Sequence, residues 1–318
     1  MNVSVIIPAF NSSSTIARCL DSVLSQTYPA TEIIVVDDGS SDDTSEKCKI
    51  YSSDNPQIKY VFQENSGVAA ARNTGINKAT CEWVAFLDSD DRWLDSKLAN
   101  QVTFLQQNGD CRWIASCYQL VRVSAEHERV VGSSPTDENV RKSDGGRYSA
   151  LELLAGKTTL WTGTIMMHRK SLELLEGFCT DLTEGEDVDL WIRFALKFPQ
   201  IGFLPEQLAL YTVSQPASLT GLASQRVTQS QYTYYERLTR RIASAESASD
   251  SLFLKQILEQ KINGTMLGLV RTGSLVQARK FIRELKIRKL PLPNRGSRIL
   301  AQFPSWTAKV VKRLLGKS

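Results

Sequence analysis

Two acidic clusters carry residue types at spacings that can do chemistry. The first is Phe86-Leu87-Asp88-Ser89-Asp90-Asp91, which follows an apolar, strand-like run. Carboxylates one residue apart at a strand end can share one hard cation through oxygen ligands, with water in the remaining positions. Such an ion offsets negative charge on a diphosphate and makes a nucleoside diphosphate a good leaving group. The plainer alternative is an acidic strand-to-helix turn in which Asp95 or Ser96 caps the next helix. The second cluster is Glu184, Glu186, Asp187 and Asp189, at the head of a helical segment running through Leu190–Phe194. Crowding raises the pKa of at least one of these carboxyls, which suits a general base. Acids at a helix start also stabilise the macrodipole with no catalytic role at all.

The elements that position these clusters follow from hydrophobic patterning. Residues 3–7 are an apolar run ended by Pro8, as for a buried strand entering a loop. Ser12 to Ser14 offer an N-cap, and Ile16, Leu20, Val23 and Leu24 recur on one helix face. Residues 32–36 are apolar at consecutive positions, which favours a parallel sheet covered on both faces, and Asp37-Asp38-Gly39-Ser40 turns the chain. The rhythm continues with strands near 59–62 and 83–87 and helices near 68–79 and 96–107. This alternation predicts an α/β doubly wound, mostly parallel sheet with flanking helices, with ligands beyond the carboxyl ends of its strands. The polar segment 124–146 reads as a long loop, 242–251 as an exposed turn, and the chain from Leu252 onward as helices broken near Gly273, Pro291 and Pro293.

The 318 residues are 42% hydrophobic and 23% charged, the balance of a folded protein. No run approaches the roughly 18 to 20 apolar residues of a membrane span, and no secretory signal is expected. Six scattered cysteines and two histidines argue against a zinc site and for reduced thiols. Charge is unevenly placed. Residues 1–100 hold 8 Lys/Arg against 14 Asp/Glu, whereas residues 271–318 hold 13 Lys/Arg against Glu284 alone. An acidic front suits cations, and a basic end suits an anionic surface.

Several segments, taken in order, resemble the inverting glycosyltransferases of family 2, which have the GT-A fold. They are Val3–Asn11 (VSVIIPAFN), Gln26–Pro29, Glu32–Ser40 (EIIVVDDGS), Asn65–Gly67, Ala70–Asn73, Phe86–Asp91 and Gly185–Trp191 (GEDVDLW). The likeness covers about residues 1–213. It implies a GT-A domain over 1–215, with a nucleotide-sugar half at 1–110 and an acceptor half at 111–215, followed by a helical region at 216–318. It places Pro8, Phe10 and Asp38 around the nucleobase, with Asp37 as a structural neighbour, and Gly67 and Arg72 on the donor. Asp88 falls at the ribose or donor sugar, and Asp90 at the divalent cation, Mn2+ or Mg2+. Asp187, the Asp of Glu-Asp, falls at the general base, with Glu186 beside it, and Trp161 on the acceptor-side wall. A helix-surface ion pair for Arg72, a turn-starting role for Asp38 and a core position for Trp161 are the bland alternatives.

One departure stands out. Many members carry a Tyr-Arg-x-His stretch whose His completes the metal site, whereas here Tyr211 is followed by Thr212, Val213, Ser214 and Gln215. Metal is then expected on Asp90 with diphosphate oxygens and water, and His168 is read as a surface residue. Residues 303–315 place Phe303, Trp306, Val310, Val311, Leu314 and Leu315 opposite Lys309, Lys312 and Arg313. This predicts that residues 298–318 lie on an anionic membrane or dock on the catalytic domain. The resulting expectation is a transferase moving a sugar from a nucleoside-diphosphate sugar, UDP-linked, to a glycan or lipid-linked acceptor. It is placed in the cytoplasm, peripheral at the inner membrane face, with no nucleic-acid partner. The alternatives are a non-catalytic nucleotide- or glycan-binding partner and a nucleotidyltransferase. The latter lacks its Gly-rich basic loop here, and an oxidoreductase lacks its GxGxxG.

Overall fold

The first strand, β1 (Val3–Ala9), is buried at all seven positions, and so is β2 (Glu32–Asp38). In the computed structural model they pair in parallel, Ser4 with Glu32 through Ala9 with Asp37. The structure describes residues 1–123, 127–141, 145–156, 158–213, 227–272, 274–294 and 298. Between the two strands, α1 (Ile16–Leu24) buries Ile16, Leu20 and Val23 of the stripe foreseen, with Cys19 added and Leu24 only partly buried. Its N-cap is Thr15, with no side-chain cap bond. The Ser12 hydroxyl, expected at the cap, instead meets the Ser89 hydroxyl at 2.7 Å.

The chain continues through α2 (Thr44–Asp54), β3 (Ile58–Gln63), α3 (Val68–Lys78), β4 (Trp83–Phe86), the two-residue β5 (Arg92–Trp93) and α4 (Lys97–Gln107). Strands β3, β2, β1 and β4 form a parallel block. Helix α3 lies tight on this block because Gly75 has no side chain, and a Cβ there would sit 2.4 Å from Ile6 Cγ2. Gly39, at φ +77, is required twice over, since a Cβ would also fall 2.8 Å from the Asn65 nitrogen.

The later elements are β6 (Trp113–Val123), β7 (Glu128–Ser133), α5 (Glu138–Arg141), β8 (Gly146–Ser149), α6 (Ala150–Ala155), β9 (Met166–His168), α7 (Arg169–Leu174), α8 (Glu186–Lys197) and β10 (Gln200–Thr212). The sheet order is β3-β2-β1-β4-β9-β6-β10-β5. Beyond β4 the sheet is mixed, because β9 is antiparallel to both β4 and β6 while β6 and β10 are parallel. The segment read as a loop at 124–146 contains β7, antiparallel to β6, and the short helix α5. β7 is exposed along almost its whole length, so it carries no apolar alternation to announce it.

The chain divides into two compact units, Met1–Val213 and Ser214–Ser318. Within the second, α9 (Gln229–Ala243) begins with a Thr228/Gln231 capping box, and Ser247 caps α10 (Ala248–Arg271). The turn read at 242–251 therefore narrows to 244–247. The break near Gly273 leads into α11 (Leu275–Ile287). Tyr232, Tyr235 and Phe281 form the aromatic centre of this unit. No helix among the described residues is long and apolar enough to cross a membrane. The amphipathic segment expected at 298–318 lies outside the described residues, apart from Arg298.

Candidate active site

The carboxyl ends of β1, β2 and β4 open on one edge of the sheet, and three loops meet there. Pro8 is buried opposite Val36, whereas Phe10 projects with 52% of its surface exposed. Asn11, at φ 48, accepts from the Ser41 amide (2.8 Å) and donates its own amide to Ser40 Oγ (2.9 Å), tying the β1 loop to the β2 loop. Asp42 accepts from the Ser13 and Thr44 amides. Burial opposes its ionisation, but the bonds from Thr44 and Ser13 hold it down at about 2.

Both acids at the end of β2 are wired into the backbone. Asp37 accepts from the Ser40 amide (2.9 Å) and Tyr60 Oη (2.7 Å). Asp38 accepts from Gln63 Nε2 (2.6 Å) and from the amides of Ser66 (2.9 Å) and Gly67 (2.8 Å). Gly67 is the N-cap of α3, so Asp38 sets where that helix starts. The structure thus shows Asp38 as a loop anchor at the end of β2.

Arg72, on α3, is 4% exposed and joins two clusters that the sequence keeps 98 positions apart at Asp88 and Glu186. Its guanidinium donates to Asp88 Oδ1 at 2.7 Å and to Glu186 Oε1 at 2.9 Å, and it lies 5.2 Å from the Phe178 ring centroid. Burial alone would weaken the cation, but Asp88 and Glu186 outweigh it and hold the proton more tightly than in water. A helix-surface ion pair does not describe this residue.

Around Asp88 the loop is stiffly held. The Asp91 amide donates to the Asp88 carbonyl (3.0 Å), Arg18 donates to the Asp90 carbonyl (2.8 Å), and Thr212 donates its amide to Asp91 Oδ1 and its hydroxyl to the Asp90 carbonyl (both 2.6 Å). Thr212 was missed from sequence, although it sits where the Tyr-Arg-x-His pattern breaks. Ser96 is the N-cap residue of α4, as the plainer alternative has it, but it makes no side-chain cap bond, and Asp95 accepts from Ser25. Burial, then Asp88, raises the Asp90 carboxyl above the usual range. Burial, then Asp90 and Asp88, raises Asp91 further still. Asp91 Oδ2 has no hydrogen-bond partner among the described residues. Such crowding of hard oxygen donors fits a divalent cation, whose charge would relieve it. No group of three or more His, Cys, Asp and Glu is positioned to hold a metal among the described residues. The protein offers a partial site only. His168 cannot complete it: paired with Trp83, it lies at the opposite end of β4, and it is half-buried against that Trp ring rather than on the surface.

Helix α8 begins at Gly185, whose backbone is left-handed, and brings three acids to one turn. Glu186 faces Arg72. Its burial, followed by the charge of Asp187, raises it to about 7 against the pull of Arg72. This is the elevated carboxyl that the crowding predicts. Asp187 is partly exposed and accepts from the Val188 amide at 2.6 Å. Asp189 is fully buried and pairs with Arg193 (2.8 Å), which also donates to the Leu175 and Gly177 carbonyls. That network anchors α8 to the segment after α7.

Trp161 is buried against Tyr118 and Tyr211, with ring centroids 5.0 and 5.1 Å away, and the two tyrosine rings also meet each other at 6.2 Å, so Trp161 is part of an aromatic cluster of the core. The turn that follows it is clamped from α4 and β5. Trp93 Nε1 donates to the Gly163 carbonyl and Gln101 Nε2 to the Thr164 carbonyl, both at 2.7 Å. Beneath them Lys97, fully buried, donates to Gln101 Oε1 at 2.8 Å and lies 3.8 Å over the Trp93 ring. Burial pushes its ammonium well below the usual lysine range. The bond from Lys97 fixes the Gln101 amide so that its nitrogen faces Thr164. A lysine at a helix start reads as solvated; within α4 only its i, i+4 partner Gln101 is a local signal, and the Trp93 ring comes from β5.

Over residues 4–175 the chain matches the family model described as glycosyl transferase family 2. An uncharacterized glycosyltransferase of Rickettsia felis is 34% identical over 212 residues, 67% of this chain but 33% of that protein, so the chain spans about a third of this relative's length. The Escherichia coli protein WfgD, named UDP-Glc:alpha-D-GlcNAc-diphosphoundecaprenol beta-1,3-glucosyltransferase, is 31% identical over 191 residues, 60% of this chain and 68% of its own. The structure of S. aureus TarS 1-349 in complex with UDP-GlcNAc is similar at a TM-score of 0.68 and 20% identity, over 99% of this chain and 91% of that one. The Pyrobaculum calidifontis mannosyltransferase PcManGT, in complex with GDP-Man and Mn2+, gives 0.61 and 19%, over 99% and 88%. These two likenesses concern the GT-A fold. With the family model matched over more than half of its length, the chain belongs to glycosyltransferase family 2.

Proposed function

We propose that the chain is an inverting glycosyltransferase that moves a sugar from a nucleoside-diphosphate sugar, UDP-linked, to a hydroxyl of a glycan or lipid-linked saccharide. It works at the inner face of the cell membrane. The observation that carries this reading is the Asp88–Arg72–Glu186 chain, which binds the donor-side strand end to the start of α8. In the reaction the acceptor oxygen bonds to the anomeric carbon while the bond from that carbon to the diphosphate oxygen breaks. The acceptor proton goes to Asp187, the partly exposed acid of α8, and the electron pair leaves with the diphosphate. Phe10, Asp38 and Gly67 flank the nucleobase, with Pro8 buried behind them. Arg72 holds Asp88 toward the donor sugar, and Trp161 supports the acceptor wall from inside rather than stacking on a sugar. Asp90, completed by diphosphate oxygens and water, would hold Mn2+ or Mg2+, which supplies charge stabilisation for the departing diphosphate. The name of WfgD, which pairs a UDP-sugar with a diphosphoundecaprenol-linked acceptor, supports this substrate class.

The test is a panel of UDP-, GDP- and dTDP-sugars read by thermal shift with and without Mn2+, followed by transfer assays on lipid-linked and free glycans. The expected outcome is a UDP-sugar shift that grows with Mn2+, and turnover reduced at least about 100-fold in Asp90→Ala. Equal turnover in that variant would sink the metal assignment. Donor binding without transfer to any acceptor would favour the non-catalytic alternative.

A further inference from the structure

The outer face of α11 carries an exposed row of cations that the fold leaves unused. Its inner face, Leu275, Ala278, Phe281 and Leu285, is buried, with Phe281 packed on Tyr232 and Tyr235. At 3.6 residues per turn, Val276, Arg279, Lys280, Arg283, Lys286 and Ile287 fall within a sector of roughly 120° on the other side. All six are exposed. Val276 and Ile287 are each 62% exposed, and their separation of three turns puts them on one line flanked by the cations. None of the four cations has an ion pair among the described residues, and Glu284, the one acid of the helix, lies 3.7 Å from Arg288 instead.

We propose that this face docks on an anionic lipid bilayer, with the cations at the headgroups and Val276 and Ile287 entering the interface. The charge row complements anionic headgroups, and the long Lys and Arg stems let the charges stay at the surface while the aliphatics descend. A nucleic acid would meet the same cations but would leave the two aliphatics without a partner. The inference rests on the membrane-face placement proposed above and assigns it to a surface of the helical unit; it does not depend on which sugar is transferred.

The experiment is co-sedimentation of the full chain with vesicles of phosphatidylcholine alone or mixed with phosphatidylglycerol, at low and high salt. Binding is expected only to the mixed vesicles and is lost at high salt. Each cation removed should weaken it about fivefold, so Arg283→Gln/Lys286→Gln should bind about 30-fold more weakly. Val276→Ser/Ile287→Ser should also weaken it while leaving the salt dependence in place. Circular dichroism and thermal midpoint serve as controls that each variant is folded. The proposal is overturned if the Arg/Gln and Lys/Gln changes leave vesicle binding intact. It is also overturned if binding vanishes only when Lys309, Lys312 and Arg313 are replaced, or if the chain binds duplex DNA or RNA and not vesicles.

Discussion

Asp38 and Glu186 are both buried carboxyls near the open edge of the sheet, and they are held by opposite means. Asp38 is surrounded by donors, two backbone amides and the Gln63 amide, supplied by the segment immediately before α3. Glu186 has one partner of full charge, Arg72, while burial, followed by the charge of Asp187, pushes it up to about 7. A carboxylate met by several local N–H groups fixes a loop. A carboxylate held only by a shared guanidinium is poised between two protonation states, and it transmits what happens at Asp88. The β2 end is thus built for placement and the α8 start for response.

The comparison breaks most severely at Arg72. Arg72→Ala leaves Asp88 and Glu186 facing each other without a cation, and is expected to cost about 3–5 kcal/mol in urea unfolding together with all measurable transfer. Arg72→Lys should not restore transfer, because a single ammonium cannot reproduce the two-pronged bridge. Asp38→Ala strands the Ser66 and Gly67 amides and should cost about 2 kcal/mol, with donor affinity falling alongside. A stable Asp38→Ala protein would mean that water replaces the carboxylate and that its anchoring role is minor.

Glu186 sharpens the comparison through pH. Its folded pKa lies above the ordinary value of 4.5, so the folded state holds a proton that the unfolded state releases. The stability this contributes is present below 4.5 and is lost as pH rises through about 7. Glu186→Gln should therefore flatten the fall in thermal midpoint across that window and remove a limb near 7 from the rate profile. The smallest effect is expected at Lys97. Lys97→Met removes a buried charge and should leave stability within about 1 kcal/mol of the original, while freeing the Gln101 amide and speeding hydrogen exchange at 162–165.

How much of this was readable from the chain follows from what leaves a local signature. The runs Val3–Ile7 and Ile33–Val36 announce β1 and β2 because both faces of those strands are covered, and the stripe Ile16, Leu20, Val23 announces α1 because its burial follows the helical period. β7 has no buried face and reads as loop, while the strand-like run before His168 does form β9, whose antiparallel insertion between β4 and β6 has no local signature. At the site, the acids at Asp88, Asp90 and Glu186 stand out by type and spacing. What joins them does not, because Arg72, Thr212 and Ser12 act across the sheet rather than along it. Trp161 takes its core position for a non-local reason, since Tyr118 from β6 and Tyr211 from β10 cluster with its ring.

The central claim is that Asp187 accepts the acceptor's proton and plays no part in holding the donor. The direct test is Asp187→Asn assayed for donor-sugar binding by calorimetry and for transfer at saturating donor. The account predicts unchanged donor affinity with transfer reduced about 100- to 10,000-fold. A proportionate loss of donor affinity, or transfer at the original rate, would contradict it.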